Sequence, residues 1–370
     1  MKSILVTGSG GFVGQNLCVV LGRRDDTRLL TFDLADDPGC LEDRVLQADF
    51  IFHLAGVNRP VKTEDFEPGN AGLTGTILEL LRKAGRATPL LLSSSTQAAL
   101  ENPYGLSKRA AENLVFAYGR DCGAEVFVYR FPNLFGKWCR PNYNSAVATF
   151  CHNIARGLPI HLNDPASPIR LVYIDDLLSE ALRALEGRPT RSGEFCEVPI
   201  SHKVTIGQIA DLVSSFRESR ENLSFPDLSD PFTLKLYSTY LSYLPEGDFG
   251  YPLKMHCDPR GSFTEFQRTP DRGQISINIS KPGITRGNHW HHTKTEKFLV
   301  VSGQGVIRFR RLGTLKVIEY PVCGDRLEVI DIPPGYTHNI SNIGDTELVT
   351  VMWANEPYDP SRPDTWFEEV

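Results

Sequence analysis

The spacing of apolar residues changes near residue 250, and this change limits the folds open to the chain. Before it, short apolar runs alternate with segments whose apolar residues recur at helical spacing, which predicts an α/β fold with a parallel, doubly wound sheet. The predicted strands are Ser3–Thr7, Leu29–Asp33, Asp49–Ala55, Pro89–Ser95 and Glu125–Arg130. The predicted helices between them are Phe12–Leu21, Ala71–Ala84 and Tyr104–Tyr118.

From Tyr251 onward, short alternating strands separated by glycine and proline replace the helical segments. Because no long helical pattern follows, this part predicts an all-β sandwich or barrel. Its strands are predicted at Gln274–Ile279, Glu296–Val301, Gly305–Arg310, Arg326–Ile332 and Glu347–Trp353. The turn-rich run Leu244–Pro252 marks the join. We therefore predict two domains, residues 1–245 and 246–370.

Length and charge exclude several classes of protein. At about 100–200 residues per domain, 370 residues suit two domains that need no disulfide framework. The net charge of −6 gives no broad positive field, and no apolar run reaches about 18 residues, so we expect neither a nucleic-acid nor a membrane partner. The eight cysteines are scattered without a C-x-x-C pair, and the chain does not open on a signal peptide. We expect reduced thiols and a cytoplasmic protein.

A glycine-rich run, Thr7–Gly14 (TGSGGFVG), joins the first predicted strand to the first predicted helix. Glycines there let the backbone approach a pyrophosphate at a helix N-terminus, where free N–H groups favour negative charge. The spacing Gly8-x-x-Gly11-x-x-Gly14 departs from G-x-G-x-x-G, so a plain glycine turn is the alternative to a dinucleotide site.

Asp33 closes the second predicted strand, 19 residues after Gly14. A carboxylate there can accept hydrogen bonds from both ribose hydroxyls of an adenosine and would repel a 2′-phosphate, which favours NADH over NADPH. Asp36 and Asp37 lie nearby, so a turn or capping role for Asp33 is the alternative.

Tyr104 and Lys108 are spaced i and i+4, on one face of a predicted helix. A lysine ammonium near the phenol would lower the tyrosine pKa and make it a better proton donor to a carbonyl oxygen. Ser95 ends the fourth strand, at the edge where ligands bind in such sheets, and could hydrogen-bond the same carbonyl. The alternatives are a chance Tyr-Lys spacing and a serine that only caps a turn.

Histidines concentrate in the predicted β part. His289 and His291 would share one face of a strand, Glu296 follows on the next segment, and His338 comes from a distant strand. Three imidazoles and one carboxylate suit zinc or another divalent metal, whereas the alternative is solvated surface side chains.

The order of motifs in the first part resembles that of extended short-chain dehydrogenases/reductases acting on nucleotide sugars. The motifs are the glycine turn, His53–Gly56 (HLAG), Asn70 with Gly75-Thr76, Ser93–Ser95 with Y-x-x-x-K, Arg130–Gly136 (RFPNLFG) and Val172–Asp176 (VYIDD). The resemblance implies a catalytic set of Ser95, Tyr104 and Lys108, and it implies NADPH as cofactor. The residues implied to bind cofactor are Gly8, Gly11, Phe12, Val13, Gly14, Asp33, Leu54, Ala55, Tyr104, Lys108 and Asn133. Only eight residues separate Ser95 from Tyr104, where these enzymes have a longer insertion.

The second part resembles metal-binding cupins, in Gly283-x5-His289-x-His291-x4-Glu296-x6-Gly303 and in Pro333-x-Gly335-x2-His338-x3-Asn342. Two runs, Asp258–Glu265 (DPRGSFTE) and Arg286–His289 (RGNH), resemble sugar-nucleotide epimerases that make rhamnose precursors. In those enzymes the matching histidine is the base, so a base role and a metal-ligand role compete for His289. Lys297 and Tyr336 are candidates for the partner proton donor, with a structural role as the alternative for each.

Together, the two parts resemble a family of bifunctional enzymes of capsular polysaccharide synthesis. The runs that carry this resemblance are Ala55–Pro60 (AGVNRP), Asn133–Ser145 (NLFGKWCRPNYNS) and Lys281–Thr293 (KPGITRGNHWHHT). It implies a UDP-2-acetamido-2,6-dideoxy-4-hexulose substrate, epimerised at carbon 3 by the cupin and reduced at carbon 4 by the reductase, on the route to UDP-N-acetyl-L-fucosamine. It also implies substrate contacts from Asn58, Arg260 and Glu265, and a homodimer. The alternatives are a reductase with a non-catalytic cupin and a cofactor-sensing scaffold.

Overall fold

The computed structural model describes residues 1–60, 62–222, 224–253, 255–258, 261–264, 274–356, 361 and 363–370, with backbone alone for 255–258, 261–264 and 274–277. It divides into two compact units. The first unit contains Met1–Ser145 and Pro168–Val204, and the second contains Ala146–Ser167 and Thr205–Val370. The predicted domain division at residues 245 and 246 stays a prediction.

The strands of the first unit form a mostly parallel sheet and a smaller one. They are β1 (Lys2–Thr7), β2 (Thr27–Phe32), β3 (Phe50–His53), β4 (Leu90–Ser95), β5 (Val126–Phe131), β6 (Asn133–Phe135), β7 (Pro168–Tyr173), β8 (Arg191–Ser192), β9 (Phe195–Cys196) and β10 (His202–Thr205). The larger sheet has the order β2-β1-β3-β4-β5-β9-β8, and the smaller has β10-β7-β6. Strands β1 to β5 lie at the five predicted strands and pair in parallel, so the predicted doubly wound sheet is confirmed.

Helices cover this sheet and recur in the second unit. They are α1 (Phe12–Leu21), α2 (Cys40–Gln47), α3 (Leu73–Lys83), α4 (Pro103–Cys122), α5 (Ala146–Ala155), α6 (Ile174–Leu185), α7 (Ile206–Asn222) and α8 (Pro231–Leu241). Helix α1 has the predicted bounds, and a π-helical turn at Pro68–Gly72 precedes α3. Helices α2, α3 and α4 bury their apolar faces in one core with β1, β3 and β4.

The strand order places a ligand crevice at the carboxyl end of β1. Strand β1 pairs with β2 on one side and β3 on the other, so that Thr7 lies opposite both Phe32 and His53. The strands on either side of β1 connect in opposite directions, and such a switch point opens a crevice where doubly wound sheets bind ligands. The glycine turn follows Thr7 directly.

The strands of the second unit form two antiparallel sheets and a hairpin. They are β11 (Gly250–Pro252), β12 (Met255–Asp258), β13 (Gly261–Thr264), β14 (Gln274–Ser280), β15 (Thr285–Trp290), β16 (Glu296–Ser302), β17 (Gln304–Arg311), β18 (Val317–Cys323), β19 (Glu328–Ile332), β20 (Tyr336–Asn342), β21 (Leu348–Ala354) and β22 (Trp366–Phe367). One sheet has the order β11-β19-β16-β21-β14, the other has β18-β17-β20-β15-β22, and β12 pairs with β13. The predicted all-β fold is confirmed for these strands.

The two sheets of the second unit face each other across a core. The ring of Phe298 on β16 lies 5.9 Å from the ring of His338 on β20, which joins one sheet to the other. On the outer face of the first sheet, Phe225 packs against Trp353 of β21 at 4.3 Å and against Tyr237 of α8 at 5.6 Å. Helices α7 and α8 therefore cover the sheet that carries β16, and the inner face is left for the core.

The described residues bear on two expectations, that the chain has no membrane-spanning segment and that its cysteines are reduced. None of the described helices combines the length and the apolar character needed to cross a membrane. Among the cysteines whose side chains are described, all seven are free thiols.

Candidate active site and metal centre

The glycine turn after β1 is tightly packed. Gly8 has a positive φ of 69°, and a Cβ on it would lie 2.7 Å from the backbone nitrogen of Ala55. A Cβ on Gly14 would overlap the carbonyl oxygen of Gly8. Helix α1 begins at Phe12 with Val13 in its first turn, where backbone N–H groups have no partner within the helix. The turn therefore presents bare backbone and a helix N-terminus at the crevice, as a pyrophosphate site requires.

Asp33 lies beside this turn. Its carboxylate accepts hydrogen bonds from the backbone N–H groups of Gly10 and of Leu34, the latter at 2.7 Å. Asp36 has a different role, because it accepts the N–H of Asp33 at 2.9 Å and pairs with Arg44 at 2.8 Å. Of these carboxylates, Asp33 is the one placed against the glycine turn, where a ribose would lie.

Ser95, Tyr104 and Lys108 come together at the carboxyl edge of β4. The Tyr104 hydroxyl donates a hydrogen bond to Oδ1 of Asn58 at 3.0 Å. Lys108 is buried, its ammonium donates to the carbonyl of Ser93 at 3.1 Å, and it lies 5.9 Å from the centre of the Tyr104 ring. Burial lowers the pKa of Lys108 to about 8. The side chain of Ser95 is hydrogen-bonded to that of Tyr104, so the three side chains predicted from the motifs lie together.

The pKa of Tyr104 differs from the expectation. Burial raises it, the side chain of Ser95 acts in the opposite direction, and Tyr143 adds to the rise. The expected lowering by Lys108 is not found, because the ammonium lies over the ring and is bonded to Ser93 rather than to the phenol oxygen. In this structure Tyr104 is therefore a protonated donor at neutral pH.

Asn70 supports the site, and only the motif order had indicated it. Its amide exchanges two hydrogen bonds with the backbone of Val57, at 3.1 and 3.0 Å, and donates to the hydroxyl of Ser107 at 3.0 Å. A Cβ on Gly56 would lie 2.7 Å from Asn70 and 2.8 Å from the Lys108 ammonium. Asn70 therefore ties the loop after β3 to α4 beside the catalytic set.

A buried histidine links this support to β1. His53 Nδ1 contacts the Thr7 hydroxyl at 2.7 Å, and Nε2 contacts the Thr74 hydroxyl at 2.8 Å. Thr74 in turn donates to the carbonyl of Asn70 at 2.7 Å. Burial lowers the pKa of His53 to about 3, with a contribution from Lys108, so the imidazole is neutral. This histidine orders the backbone around the crevice rather than exchanging protons.

Glu112 of α4 fixes the end of β4. It accepts a hydrogen bond from Ser94, and Arg130 binds its carboxylate with two bonds, at 2.9 and 2.6 Å. Glu112 was not predicted. It lies four residues after Lys108, on the helical face that carries Tyr104, and this spacing is the sequence signal that could have identified it. The pair holds Ser94, and with it the strand end that carries Ser95.

A cavity of about 170 Å³ opens beside Ser95 at the carboxyl ends of β4 and β5. Its lining includes Thr96, Arg130, Pro132, Arg170 and Glu197. Neither Arg170 nor Glu197 was predicted, because each lies on a strand or loop with no motif of its own. Asn133, predicted to lie near cofactor and substrate, is exposed at the start of β6. Arg130 is already bound to Glu112, and Arg170 donates to the Ser201 hydroxyl at 3.0 Å, so the cavity has a mixed charged lining.

In the second unit, the four predicted ligands form one cluster. Strands β15 and β20 pair with His289 opposite His338, and their ring centres lie 4.6 Å apart. Potential ligand atoms of His289, His291, Glu296 and His338 all lie within 4.8 Å of one another. The side chains predicted from spacing therefore converge from three strands and the loop after β15. The prediction that His289 and His291 share one face of a strand is wrong, because β15 ends at Trp290 and His291 lies in the loop.

Two of the three imidazoles in this cluster, those of His289 and His338, are held neutral beside a carboxylate. Burial and the two neighbouring imidazoles lower the pKa of His289 to about 4. Burial also lowers the pKa of His338, whereas the contact with Glu296 raises that of His291 despite its burial. Desolvation acts to raise the pKa of the partly buried Glu296, but His291 and His338 hold this pKa well below its usual range. Neutral imidazole and ionised carboxylate are the forms that bind metals.

The cluster fits a divalent metal ion. Ring nitrogens of His291 and His338 lie 3.3 and 3.4 Å from Oε2 of Glu296, close to the roughly 3.4 Å between two ligands on a tetrahedral zinc. Both ring nitrogens of His338 are buried, and neither makes a hydrogen bond of good geometry with a described residue, although Glu296 lies 3.4 Å from Nε2. Buried ring nitrogens with such incomplete hydrogen bonding are costly unless another group binds them. His289, His291, Glu296 and His338 are the residues that would hold the ion.

Lys297 faces away from this cluster. Phe298 contacts His338 from the face of β16 that also carries Glu296, so Lys297 projects from the opposite face. There its ammonium pairs with buried Asp331 at 2.5 Å and donates to the Tyr251 hydroxyl at 3.1 Å. Although burial acts in the other direction, Asp331 raises the pKa of Lys297 well above its usual value. This placement does not support the expected role of Lys297 as a proton donor near the ligands.

Tyr336 shares the face of β20 that carries His338. It is buried against the ring of Phe249 at 5.2 Å. Burial raises its pKa to about 12, so it is protonated near neutral pH. The two remaining predicted substrate contacts, Arg260 and Glu265, lie outside the described residues.

Comparison with known proteins shows which protein family has this architecture. The crystal structure of the capsular polysaccharide assembling protein CapF from Staphylococcus aureus is 54% identical, covers 100% of both chains and has a TM-score of 0.70. The chain belongs to the CapF family. The predicted resemblance to capsular polysaccharide enzymes is thereby confirmed.

Further matches agree with the CapF assignment. A Pseudomonas aeruginosa protein named UDP-2-acetamido-2,6-beta-L-arabino-hexul-4-ose reductase is 46% identical over 98% of this chain and 97% of its own. Residues 4–195 match the NAD dependent epimerase/dehydratase family, and residues 256–366 match the polysaccharide biosynthesis C-terminal domain. This member of the CapF family is therefore an enzyme of the NAD-dependent epimerase/dehydratase class, and a nicotinamide cofactor is supported.

A more distant likeness concerns the fold alone. A Bacillus cereus UDP-glucuronic acid 4-epimerase, solved in complex with NAD, is 19% identical and covers 60% of this CapF-family chain and 83% of its own, with a TM-score of 0.51. The predicted homodimer and cytoplasmic location stay predictions.

Proposed function

We propose that this chain is a bifunctional nucleotide-sugar enzyme. The β-rich unit would epimerise carbon 3 of a UDP-2-acetamido-2,6-dideoxy-4-hexulose, and the α/β unit would then reduce the 4-ketone with NAD(P)H. The product would be UDP-2-acetamido-2,6-dideoxy-L-talose, for UDP-N-acetyl-L-fucosamine and surface polysaccharide. The observation that carries the reductase step is the meeting of Ser95, Tyr104 and Lys108 at the carboxyl edge of β4. The printed name of the Pseudomonas aeruginosa relative supports the substrate class.

Each residue of the catalytic set has a separate task in the reduction. A bound nicotinamide would supply hydride to carbon 4. Tyr104, whose pKa is raised by burial, donates its proton to the ketone oxygen. Ser95 orients that oxygen, and Lys108, charged below a pH of about 8, supplies a positive charge over the Tyr104 ring. Asn58 holds the Tyr104 hydroxyl until a carbonyl replaces it.

Two observations bear on the cofactor. Asp33 lies against the glycine turn, where its charge would repel a 2′-phosphate and favour NADH. The family resemblance instead implies NADPH. The ratio of kcat/KM with NADH to kcat/KM with NADPH, measured before and after Asp33→Ala, distinguishes these two preferences. If the Asp33 carboxylate lies at the ribose, its removal should shift this ratio toward NADPH.

The epimerase step rests on the acidity of carbon 3. A ketone at carbon 4 acidifies the hydrogen on carbon 3, so that one group can remove this proton and another can return it to the opposite face. A divalent metal held by the His289 cluster would supply Lewis-acid stabilisation to a substrate oxygen. Tyr336 is the remaining candidate proton donor, because it is protonated and shares a strand face with His338. Reduction then removes the ketone, which makes the epimerisation irreversible and gives a reason for the fusion.

A second candidate function is a reductase with a metal-binding but non-catalytic β unit. Lys297, one of two candidate donors in that unit, is bound to Asp331 on the opposite face. The Pseudomonas aeruginosa relative is named as a reductase only.

Matched variants test the two steps apart. Tyr104→Phe should lower NAD(P)H oxidation by about 10²–10⁴-fold and leave hydrogen exchange at carbon 3 intact. His289→Ala should abolish that exchange and leave reduction of the already epimerised ketose intact. Absence of exchange from the wild-type enzyme would favour the reductase-only candidate. Exchange that survives His289→Ala would contradict the part given to the His289 cluster in the epimerisation.

A further inference from the structure

Residues 363–370 contact both strands that carry the metal-ligand histidines. Strand β22 in this segment pairs with β15, with Phe367 opposite His289 and Trp366 opposite Trp290. The N–H of Glu368 donates to the carbonyl of Asn288 at 2.8 Å. The segment is therefore an edge strand of the sheet that holds two of the proposed ligands.

The same segment reaches β20. Thr337, the neighbour of His338, donates its hydroxyl hydrogen to the carbonyl of Glu368. Arg310 of β17 donates to the Glu368 carboxylate at 2.9 Å and to the carbonyl of Glu369 at 2.6 Å. These contacts fix the segment at two points around the cluster.

Asp364 closes the loop between β15 and β16. Its carboxylate accepts the backbone N–H groups of His292, Thr293 and Lys294, at 2.8, 2.7 and 2.7 Å, and the Thr293 hydroxyl at 3.1 Å. An ionised acceptor makes each of these bonds stronger than a neutral one. A single side chain thus sets the path of the backbone from His291 toward Glu296.

The backbone carbonyl of Asp364 acts on His291 directly. It contacts Nδ1 of the imidazole, and a carbonyl oxygen can only accept a hydrogen bond, so Nδ1 carries the hydrogen. In the neutral ring that metal binding requires, the lone pair is then on Nε2, the nitrogen that lies 3.3 Å from Glu296 within the cluster. A second group that fixes ring and tautomer in this way raises the metal affinity of a histidine.

We propose that Asp364 is a positioning residue for the metal centre: its carboxylate holds the loop at residues 292–294, and this places its own carbonyl on Nδ1 of His291. The inference rests on the proposed metal site and extends it to a segment in which no ligand had been predicted. It makes metal affinity depend on a carboxylate that contacts no ligand side chain.

The test is a metal titration of the full-length chain after chelation, with Zn²⁺ followed by calorimetry and Co²⁺ followed by its visible absorption. Asp364→Ala should weaken the Kd for each ion by about 10- to 100-fold and change the Co²⁺ spectrum, because His291 loses its orientation. Asp364→Asn keeps one acceptor oxygen and should fall between this variant and the wild type. Asp345→Ala, an exposed aspartate of the same unit, is the matched control and should bind like the wild type.

The outcomes distinguish failure of the positioning role of Asp364 from failure of the proposed metal site. Titrations run at a temperature where circular dichroism shows every metal-free variant folded, so loss of fold cannot imitate loss of affinity. A wild-type Kd for Asp364→Ala, with wild-type Co²⁺ absorption, would overturn the positioning role and leave the metal site standing. If the wild-type chain binds neither ion, both proposals fail.

Discussion

The pKa values of Tyr104 and Lys108 are set by burial more than by the interaction between the two side chains. Burial raises the pKa of the phenol and lowers the pKa of the ammonium to about 8. Asn58 holds the phenol and Ser93 holds the ammonium, so each side chain has its own partner. The proton donor is therefore kept protonated by its surroundings, and the lysine is the group that titrates closer to neutral pH.

This arrangement predicts the pH dependence of the reductase. Lys108 is charged below its pKa and neutral above it, so kcat/KM for reduction should fall as the pH rises through about 8. The raised pKa of Tyr104 places its own titration at a higher pH, above its ordinary value of 10.0. A kcat/KM profile measured from pH 6 to 10.5 checks this, and a plateau that continues beyond pH 9.5 would contradict it.

The residues that the sequence predicted are those with fixed spacing. Tyr104 and Lys108 share a helical face, and His289 and His338 belong to two motifs whose spacing defines a strand face. Arg170 could not be found, because it reaches its cavity through tertiary packing alone. Asp364 could not be found either, because its carboxylate binds backbone N–H groups, 72 residues away at His292, and its contact with His291 comes from a backbone carbonyl, which leaves no signal in a sequence.

At the scale of elements, the turn between β1 and α1 has no room for a side chain at Gly14. Gly14→Ala would press a methyl group into the carbonyl of Gly8, so we expect a loss of stability of about 1–3 kcal/mol and loss of cofactor binding. Denaturant unfolding and a fluorescence titration with NADH measure the two effects. The control is Gly75→Ala in α3, where the nearest atom lies 3.9 Å away; it should be neutral or stabilising. Equal behaviour of the two variants would contradict the account.

Strand β16 uses its two faces for two purposes. Glu296 faces the ligand cluster, whereas Lys297 forms a buried ion pair with Asp331, with Arg220 3.6 Å from the same carboxylate. Lys297→Met leaves Asp331 short of one partner, so unfolding should become easier by about 3 kcal/mol while Zn²⁺ affinity is unchanged. Denaturant unfolding and zinc titration check both halves. A large loss of zinc affinity with unchanged stability would place Lys297 in the metal centre instead.

Helices and strands could be predicted where their apolar residues recur at a regular spacing. The five parallel strands and α1 follow directly from apolar spacing. The observed strand bounds differ from the predicted ones by at most two residues at either end, and α1 has the predicted bounds. Helix α2 was not predicted, because it has eight residues and buries only Leu41 and Val45. Strand β15 contains Gly287, and its pairing register with β20 shifts between Gly287 and His289. The alternation of its inward and outward side chains is therefore hard to see in the sequence.

At the scale of the whole molecule, each unit holds one candidate site and the chain passes repeatedly between the units. Helices α5, α7 and α8 group with the β-rich unit although they precede it in the sequence. Local periodicity cannot show this, because it identifies a helix without showing which unit the helix joins. We propose that these two units catalyse consecutive steps on one substrate.

Proton exchange at carbon 3 before any reduction tests that claim most directly. The 4-keto-6-deoxy UDP-sugar is followed by NMR in deuterated water with the purified chain, first without nicotinamide and then after NAD(P)H is added. The account predicts that deuterium enters carbon 3 without cofactor, that chelation of metal stops this exchange, and that reduction begins only when NAD(P)H arrives. If carbon 3 never exchanges while the ketone is still reduced, the β-rich unit is not an epimerase and the account of two coupled steps is wrong.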